Sequence, residues 1–299
     1  MQRRKYREIK MDFRNGNELL ALCEEHNIKI SEVMRQRECE LGETSLTVIE
    51  EKMQEVWKVM KASARKAIKE PTKSMGGLIG GEANLLANHL SAGKQICGNI
   101  LSRGMTYAMA VLEVNATMGV IVAAPTAGSS GIVPGLLLSL QEEHRLSDGS
   151  IMDALFNAGA IGYLAMRNAT VAGAVGGCQA EVGVASAMAA SAAVELLGGT
   201  PKQCLNAAST VLMNMLGLVC DPVGGLVEYP CQYRNATGVA NALVGAELAL
   251  SGVPQLIPFD EMLDTMYSVG KRLPAELRET ALGGCATTPT ACAACNQCK

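Results

Sequence analysis

Between Glu181 and Glu195 run thirteen residues, Val182 to Val194, that carry no charge, and Met188 is the only side chain there larger than valine. A stretch this rich in Ala, Ser and Gly lets neighbouring helices approach closely, because interaxial distance is set by the side chains at the contact. It is too short to cross a bilayer, which takes about 20 apolar residues. The segment is therefore predicted to be a helix buried on all sides in a helical protein. The rest of the chain agrees. No pair of alternating apolar runs is joined by a hairpin signal, and Val120-Ile-Val-Ala123 alone resembles a strand. The predicted fold class is all-α: a compact Ala/Gly-rich helical domain with an N-terminal helical region. Glycine pairs at 76–77, 80–81, 176–177, 198–199, 224–225 and 283–284 mark its junctions.

Charge divides the chain. Residues 1–70 hold 15 Lys/Arg and 13 Asp/Glu, whereas residues 71–299 hold only 11 and 16. We expect three parts: a charged helical region over 1–70, a helical catalytic domain over 71–284 and a Cys-rich tail over 285–299. In the first part Asn17 and Ser31 are candidate helix caps, Gly42 a stop, and Thr47-Val-Ile-Glu50 a capping box. Ile49, Met53, Val56, Met60, Ala64, Ala67 and Ile68 then recur at helical spacing until Pro71. In the second part helices are expected from Ser130 to His144, Ser150 to Met166, Gln179 to Gly198, Thr200-Pro201 to Leu216, Asn235 to Ser251, and Pro258 through Lys271.

A net charge of −3 and 3% aromatic residues supply neither the basic stripe nor the stacking platforms of a nucleic-acid binder. No transmembrane stretch is read. Met1 to Lys10 is basic but leads into no apolar segment, so no signal peptide is expected and the cytoplasm is the expected compartment. Thiols stay reduced there, and the eleven cysteines are not read as a disulfide framework.

The cysteines separate by context. Cys23, Cys39, Cys97 and Cys204 lie in helical patterns and read as small apolar residues. Cys178, Cys220 and Cys231 lie at Gly- or Pro-rich junctions, where backbone can bend around an inorganic group. Three thiolates leave one corner of a [4Fe–4S] cluster without a protein ligand, and such a corner can act as a Lewis acid. Cys285, Cys292, Cys295 and Cys298 crowd the tail. Their two C-x₂-C spacings are open to three readings: a second metal site, a cysteine that covers the open iron, or an unstructured end.

The three junction cysteines, with 41 and 10 residues between them, resemble the ligand spacing of iron–sulfur-dependent L-serine dehydratases. Three longer words match as well: Gly177-Cys-Gln-Ala-Glu-Val-Gly-Val-Ala-Ser-Ala-Met-Ala189, Cys220-Asp-Pro-Val-Gly-Gly-Leu-Val-Glu-Tyr-Pro-Cys231 and Ala124-Pro-Thr-Ala-Gly-Ser-Ser-Gly131. The chain is similar to the alpha subunit of the two-subunit form over roughly residues 70–284. The resemblance implies a lyase that converts L-serine to pyruvate and ammonia, a [4Fe–4S] cluster on Cys178, Cys220 and Cys231, and a separate beta subunit. It also implies that the open iron neutralises charge on the departing hydroxyl, with no redox change. Lysines are scarce after residue 73, and none sits in a motif for a pyridoxal-phosphate Schiff base.

Thr126, Ser129 and Ser130 sit in a Gly/Ser loop that opens a helix, either as donors to the substrate carboxylate or as a plain N-cap; the resemblance favours substrate binding. Lys73 to Glu82 is a flexible lid that could offer Ser74, or a simple connection. No general base is identified. His26 and His144 lie beside acidic residues and read as surface groups, His89 reads as a core residue, and Glu181 and Glu228 lie near the ligands. Two alternatives stand beside the serine lyase: a cluster-dependent cysteine desulfidase, and an iron–sulfur sensor or electron carrier.

Overall fold

The computed structural model describes residues 10–295, and among them there is no strand. Thirteen helices follow in order: α1 (Gly16–His26), α2 (Ile30–Leu41), α3 (Leu46–Lys69), α4 (Glu82–Ser91), α5 (Gly98–Ala116), α6 (Ile132–His144), α7 (Asp148–Asn168), α8 (Gly173–Gly176), α9 (Val184–Leu196), α10 (Pro201–Asn214), α11 (Cys231–Leu250), α12 (Phe259–Arg272) and α13 (Pro289–Ala294). The all-α expectation holds. No described helix is long and apolar enough to cross a membrane.

Helix α9 is the centre, with every residue from Val184 to Glu195 buried. It packs against α6, α7, α10 and α11. Small residues make this possible on both sides of each contact. A Cβ on Gly245 of α11 would stand 2.5 Å from Val211 Cγ2 and 3.1 Å from the Ala207 carbonyl, so α10 and α11 touch along backbone. The apolar core continues from α9 through Phe156 and Ile161 to Phe13, Leu19, Ile30 and Trp57 of the N-terminal helices.

Trp57 fastens α3 to this core. It is 2% exposed, and its indole N–H donates to Asp148 Oδ1 at 3.0 Å in the first turn of α7. Lys61 donates to the other carboxylate oxygen at 2.7 Å, and that bond, with those from Gln141 and Trp57, holds the Asp148 carboxyl down to about 2. Removing the indole leaves a large cavity and takes away one partner of Asp148. Trp57→Ala is expected to cost about 3–5 kcal/mol, read as a lowered midpoint in urea unfolding at unchanged slope.

Several boundaries differ from the sequence expectation, each for a local reason. Asn15, not Asn17, caps α1: its side chain accepts the Glu18 N–H at 2.8 Å. Asn17 is already helical, and its own N–H is taken with that of Gly16 by Asp260, from the first turn of α12. Ser31 lies inside α2, after Lys29. Ser45 caps α3 through the Val48 N–H, so Thr47-to-Glu50 is not the box. Ser147 rather than Ser150 caps α7. Thr200 behaves as expected, in a full capping box with Gln203 and Pro201 in the first turn. Helix α11 begins four residues before Asn235, whose side chain has another use described below. Val120–Ala123 is irregular and pairs with nothing by backbone hydrogen bonds. His26 and His144 are exposed as expected, but so is His89, on the outer face of α4. Cys23 and Cys204 are buried, Cys39 is partly covered, and Cys97 is an exposed residue before α5 rather than part of a helix.

Candidate active site

Three junctions meet at one end of α9. The first carries Cys178. It follows α8 and Gly177, whose φ of +75° suits glycine, and where a Cβ would stand 2.8 Å from the Leu218 carbonyl. A π-helical turn over Gln179–Gly183 then leads into α9. Such turns are frequent at functional sites. Gln179 stitches the first junction to the second: its N–H donates to Leu218 O at 3.0 Å, and its Oε1 accepts the Gly217 N–H at 2.8 Å. Its Nε2 donates to Met266 O in α12 at 2.9 Å.

The second junction carries Cys220. Its N–H donates to Leu277 O at 2.9 Å and its carbonyl accepts the Glu279 N–H at 2.7 Å, the single bridge of strand type among the described residues. The chain then turns through 223–225 and reaches Cys231 at the start of α11.

All three cysteines are buried: Cys178 and Cys220 at 2% exposure, Cys231 at 7%. The ligand atoms of Cys178, Cys220 and Glu181 lie within 4.8 Å of one another. Cys231 stands outside that trio; burial, with the charges of Cys178 and Glu181, pushes its thiol up. The Cys220 thiol donates toward Cys178, which lowers the Cys178 pKa against the effect of burial; Arg234 acts in the same direction. Cys220 is correspondingly raised by Cys178 and by burial. Burial pushes the Glu181 carboxyl up to about 7.

The space beside these groups requires glycine. A Cβ on Gly173 would lie 2.7 Å from Glu181 Oε2 and 3.0 Å from Cys220 Sγ. Buried soft thiols with one carboxylate beside them, approached by bare backbone at Gly173, suit a thiophilic metal or an iron–sulfur group. The donor set therefore fits the implied cluster.

The third junction is the Thr126–Gly131 loop, which leads into α6. Thr126 Oγ1 and Ser129 Oγ are 3.0 Å apart, and the Thr126 hydroxyl also faces Glu181, where its hydrogen bond lowers the carboxyl's pKa. A Cβ on Gly128 would be 3.6 Å from Glu181 Oε1, so the loop lies directly over that carboxylate. Ser130 is used internally: its hydroxyl donates to Ala127 O at 2.7 Å. It does not cap α6, whose N-cap is Gly131.

Asn235 joins the third junction to the cysteines. Its Nδ2 donates to Gly128 O at 2.7 Å and to Cys231 O at 2.9 Å, and its Oδ1 accepts the Gly131 N–H at 3.0 Å. Asparagine one turn into a helix looks like a cap signal in sequence; here it is a fully buried clamp.

The lid expectation is revised. Ser74 does not point into the site. It donates to Glu228 Oε2 at 2.7 Å, and the same carboxylate takes the N–H groups of Gly76 and Leu78 at 2.7 and 3.0 Å. The 73–82 segment is thus strapped to the loop before Cys231. Arg234 pairs with Asp221 at 2.7 Å. Three of the four tail cysteines lie among the described residues. Cys285 donates its N–H to Asp221 Oδ2 at 2.6 Å, Cys292 is exposed, and Cys295 is buried against the 223–225 turn. Cys298 lies outside the described residues.

A family profile described as serine dehydratase alpha chain matches residues 25–286. The chain is 47% identical over 278 residues to a probable L-serine dehydratase alpha chain from Bacillus subtilis (strain 168), covering 93% of this chain and 92% of the relative. It is 46% identical over 275 residues to the L-serine dehydratase alpha chain of Peptoniphilus asaccharolyticus, covering 92% and 94%. The L-serine dehydratase TdcG of Escherichia coli (strain K12) is 35% identical over 290 residues; that match takes in 93% of this chain but 62% of the longer relative. With both the family profile and these relatives spanning nearly all of it, the chain belongs to the serine dehydratase alpha chain family.

Proposed function

We propose that this chain is the alpha chain of an L-serine ammonia-lyase, acting in the cytoplasm with a separate beta chain and converting L-serine to pyruvate and ammonia. One observation carries the chemistry: the Thr126–Gly131 loop and the buried cysteine group both reach the Glu181 carboxylate. Cys178, Cys220 and Cys231 would hold a [4Fe–4S] cluster, which when bound supplies an iron free of protein ligand as a Lewis acid for the departing oxygen.

The protein's own groups account for the rest. The Thr126 and Ser129 hydroxyls receive the substrate carboxylate, and Ser130 keeps the loop in shape. Glu181, which is close to both the loop and the cysteines, takes the substrate's Cα proton on a carboxylate oxygen. Loss of that proton and of the β-hydroxyl removes one water and leaves aminoacrylate. Tautomerisation to the imine and addition of water then give pyruvate and ammonia.

The test is anaerobic reconstitution with iron and sulfide in the presence of the beta chain, followed by a pyruvate assay. Pyruvate from L-serine is expected, with a far lower rate from L-cysteine. Pyruvate from cysteine alone would move the assignment to a desulfidase, and no keto acid from either would overturn the lyase reading.

A further inference from the structure

Arg234 occupies a position that the reaction itself does not explain. Its guanidinium is mostly buried, with 14% of the side chain exposed, and it divides its donors among three acceptors. Nη1 donates to Val219 O at 2.9 Å and points at Cys178 Sγ at 3.4 Å. Nη2 is paired with Asp221 Oδ1 at 2.7 Å. Asp221 is 2% exposed, and its other oxygen takes the Cys285 N–H at 2.6 Å. The approach of that backbone depends on Gly284, where φ is +61° and a Cβ would fall 2.2 Å from Asp221 Oδ2. Four groups from separate parts of the chain thus form one line: Cys285 backbone, Asp221, Arg234, Cys178.

A planar guanidinium can serve a carbonyl, a carboxylate and a thiolate together, which an ammonium cannot do with fixed geometry. Burying Arg and Asp without strong pairing would be costly, so the pair holds its orientation. Hydrogen bonds to ligand sulfurs are one of the means by which a protein tunes an iron–sulfur group, and groups that orient metal ligands matter nearly as much as the ligands.

We propose that Arg234 is a positioning residue for the Cys178 thiolate, aimed by Asp221, and that the 277–285 segment sets its aim through the Cys285 N–H. This rests on the cluster reading above. The C-terminal segment is then part of the metal-holding apparatus: it braces Cys220 through Leu277 and Glu279, and reaches Cys178 through Asp221 and Arg234.

The full chain, reconstituted anaerobically with iron and sulfide, is followed by two readouts besides activity. The first is the rate at which a ferrous chelator strips iron. Arg234→Gln is expected to lose iron about 10–100-fold faster, the usual size of effect for groups that orient metal ligands. Arg234→Lys should fall between it and wild type, and Gly284→Ala, which displaces Asp221 without touching a ligand, should also accelerate loss. The second is the Fe–S(thiolate) stretching region of the resonance Raman spectrum in H2O and D2O. The isotope shift from an N–H···S bond should shrink in Arg234→Gln and persist in Arg234→Lys. Should Arg234→Gln fail to fold by circular dichroism, Arg234→Lys and Gly284→Ala decide the matter. Wild-type stripping rates in both, or an unchanged isotope shift in folded Arg234→Gln, would overturn the proposal. Wild-type protein that takes up no iron would instead overturn the cluster reading and this inference with it.

Discussion

Cys220→Ala abolishes pyruvate formation and the visible absorbance of the reconstituted protein, while the chain stays folded. The loss is expected to be large because Cys220 is not a peripheral thiol. It is 2% exposed, within 4.8 Å of the Cys178 and Glu181 ligand atoms, and held on both sides of its peptide by Leu277 and Glu279. A Lewis acid is worth several kcal/mol in the transition state, so its removal lowers turnover by about 10³-fold or more at 1.36 kcal/mol per decade. Iron per chain, measured after desalting, should fall together with activity. Cys178→Ala and Cys231→Ala are expected to behave alike. Cys204→Ala is the control: that thiol is fully buried between α7 and α9, touching the Asn157 amide at 3.8 Å, so its loss lowers stability without lowering iron. Full activity in any one of the three ligand variants would remove that cysteine from the ligand set.

Glu181→Gln should separate chemistry from metal binding. The substitution keeps size and shape beside Gly173 and Gly128, but it removes the group able to accept a proton. A general base contributes about 10²–10⁴-fold, so kcat should drop by that amount. KM for serine should stay within a few-fold, because Thr126 and Ser129 still meet the carboxylate, and iron content should match wild type. Loss of iron in parallel with kcat would instead identify Glu181 as a ligand. Its place beside Cys220, with Oε2 at 4.0 Å from the sulfur, makes this a real alternative outcome.

Much of this was legible in the sequence for physical reasons that can be named. The all-α class followed from helical periodicity and from small residues between Glu181 and Glu195, a pattern that allows one compact solution. Thr200 and Pro201 marked a helix start that the structure reproduces, completed by Gln203 in a capping box, because every group in that cap is local. Asn17 and Thr47 had competitors two residues away with equally good chemistry, Asn15 and Ser45, and tertiary contacts such as Asp260 on Gly16 settled the first; Ser31 lies inside its helix because its own N–H is taken by buried Glu195. Junction cysteines stood out because Gly and Pro flank them. Asn235, Arg234 and Asp221 did not stand out, because their partners lie far away in sequence: Gly128 and Gly131 for the first, Cys178 and Cys285 for the others. Nothing local distinguishes a clamp asparagine from a capping one. His89 misled for a related reason, since an apolar neighbourhood along the chain does not fix which face of a helix meets solvent.

The brace on Cys220 has a consequence in time as well as in space. Leu277 and Glu279 leave the ribosome after all three junction cysteines, and Cys285 later still. Synthesis proceeds at about 5–20 residues per second, so for several seconds a nascent chain presents Cys178, Cys220 and Cys231 with neither the brace nor the Asp221–Arg234 pair in its final form. On the proposed cluster reading, the complete metal-holding apparatus exists only once the 277–285 segment has been made, so stable holding of the metal would follow completion of that segment rather than the appearance of the three cysteines.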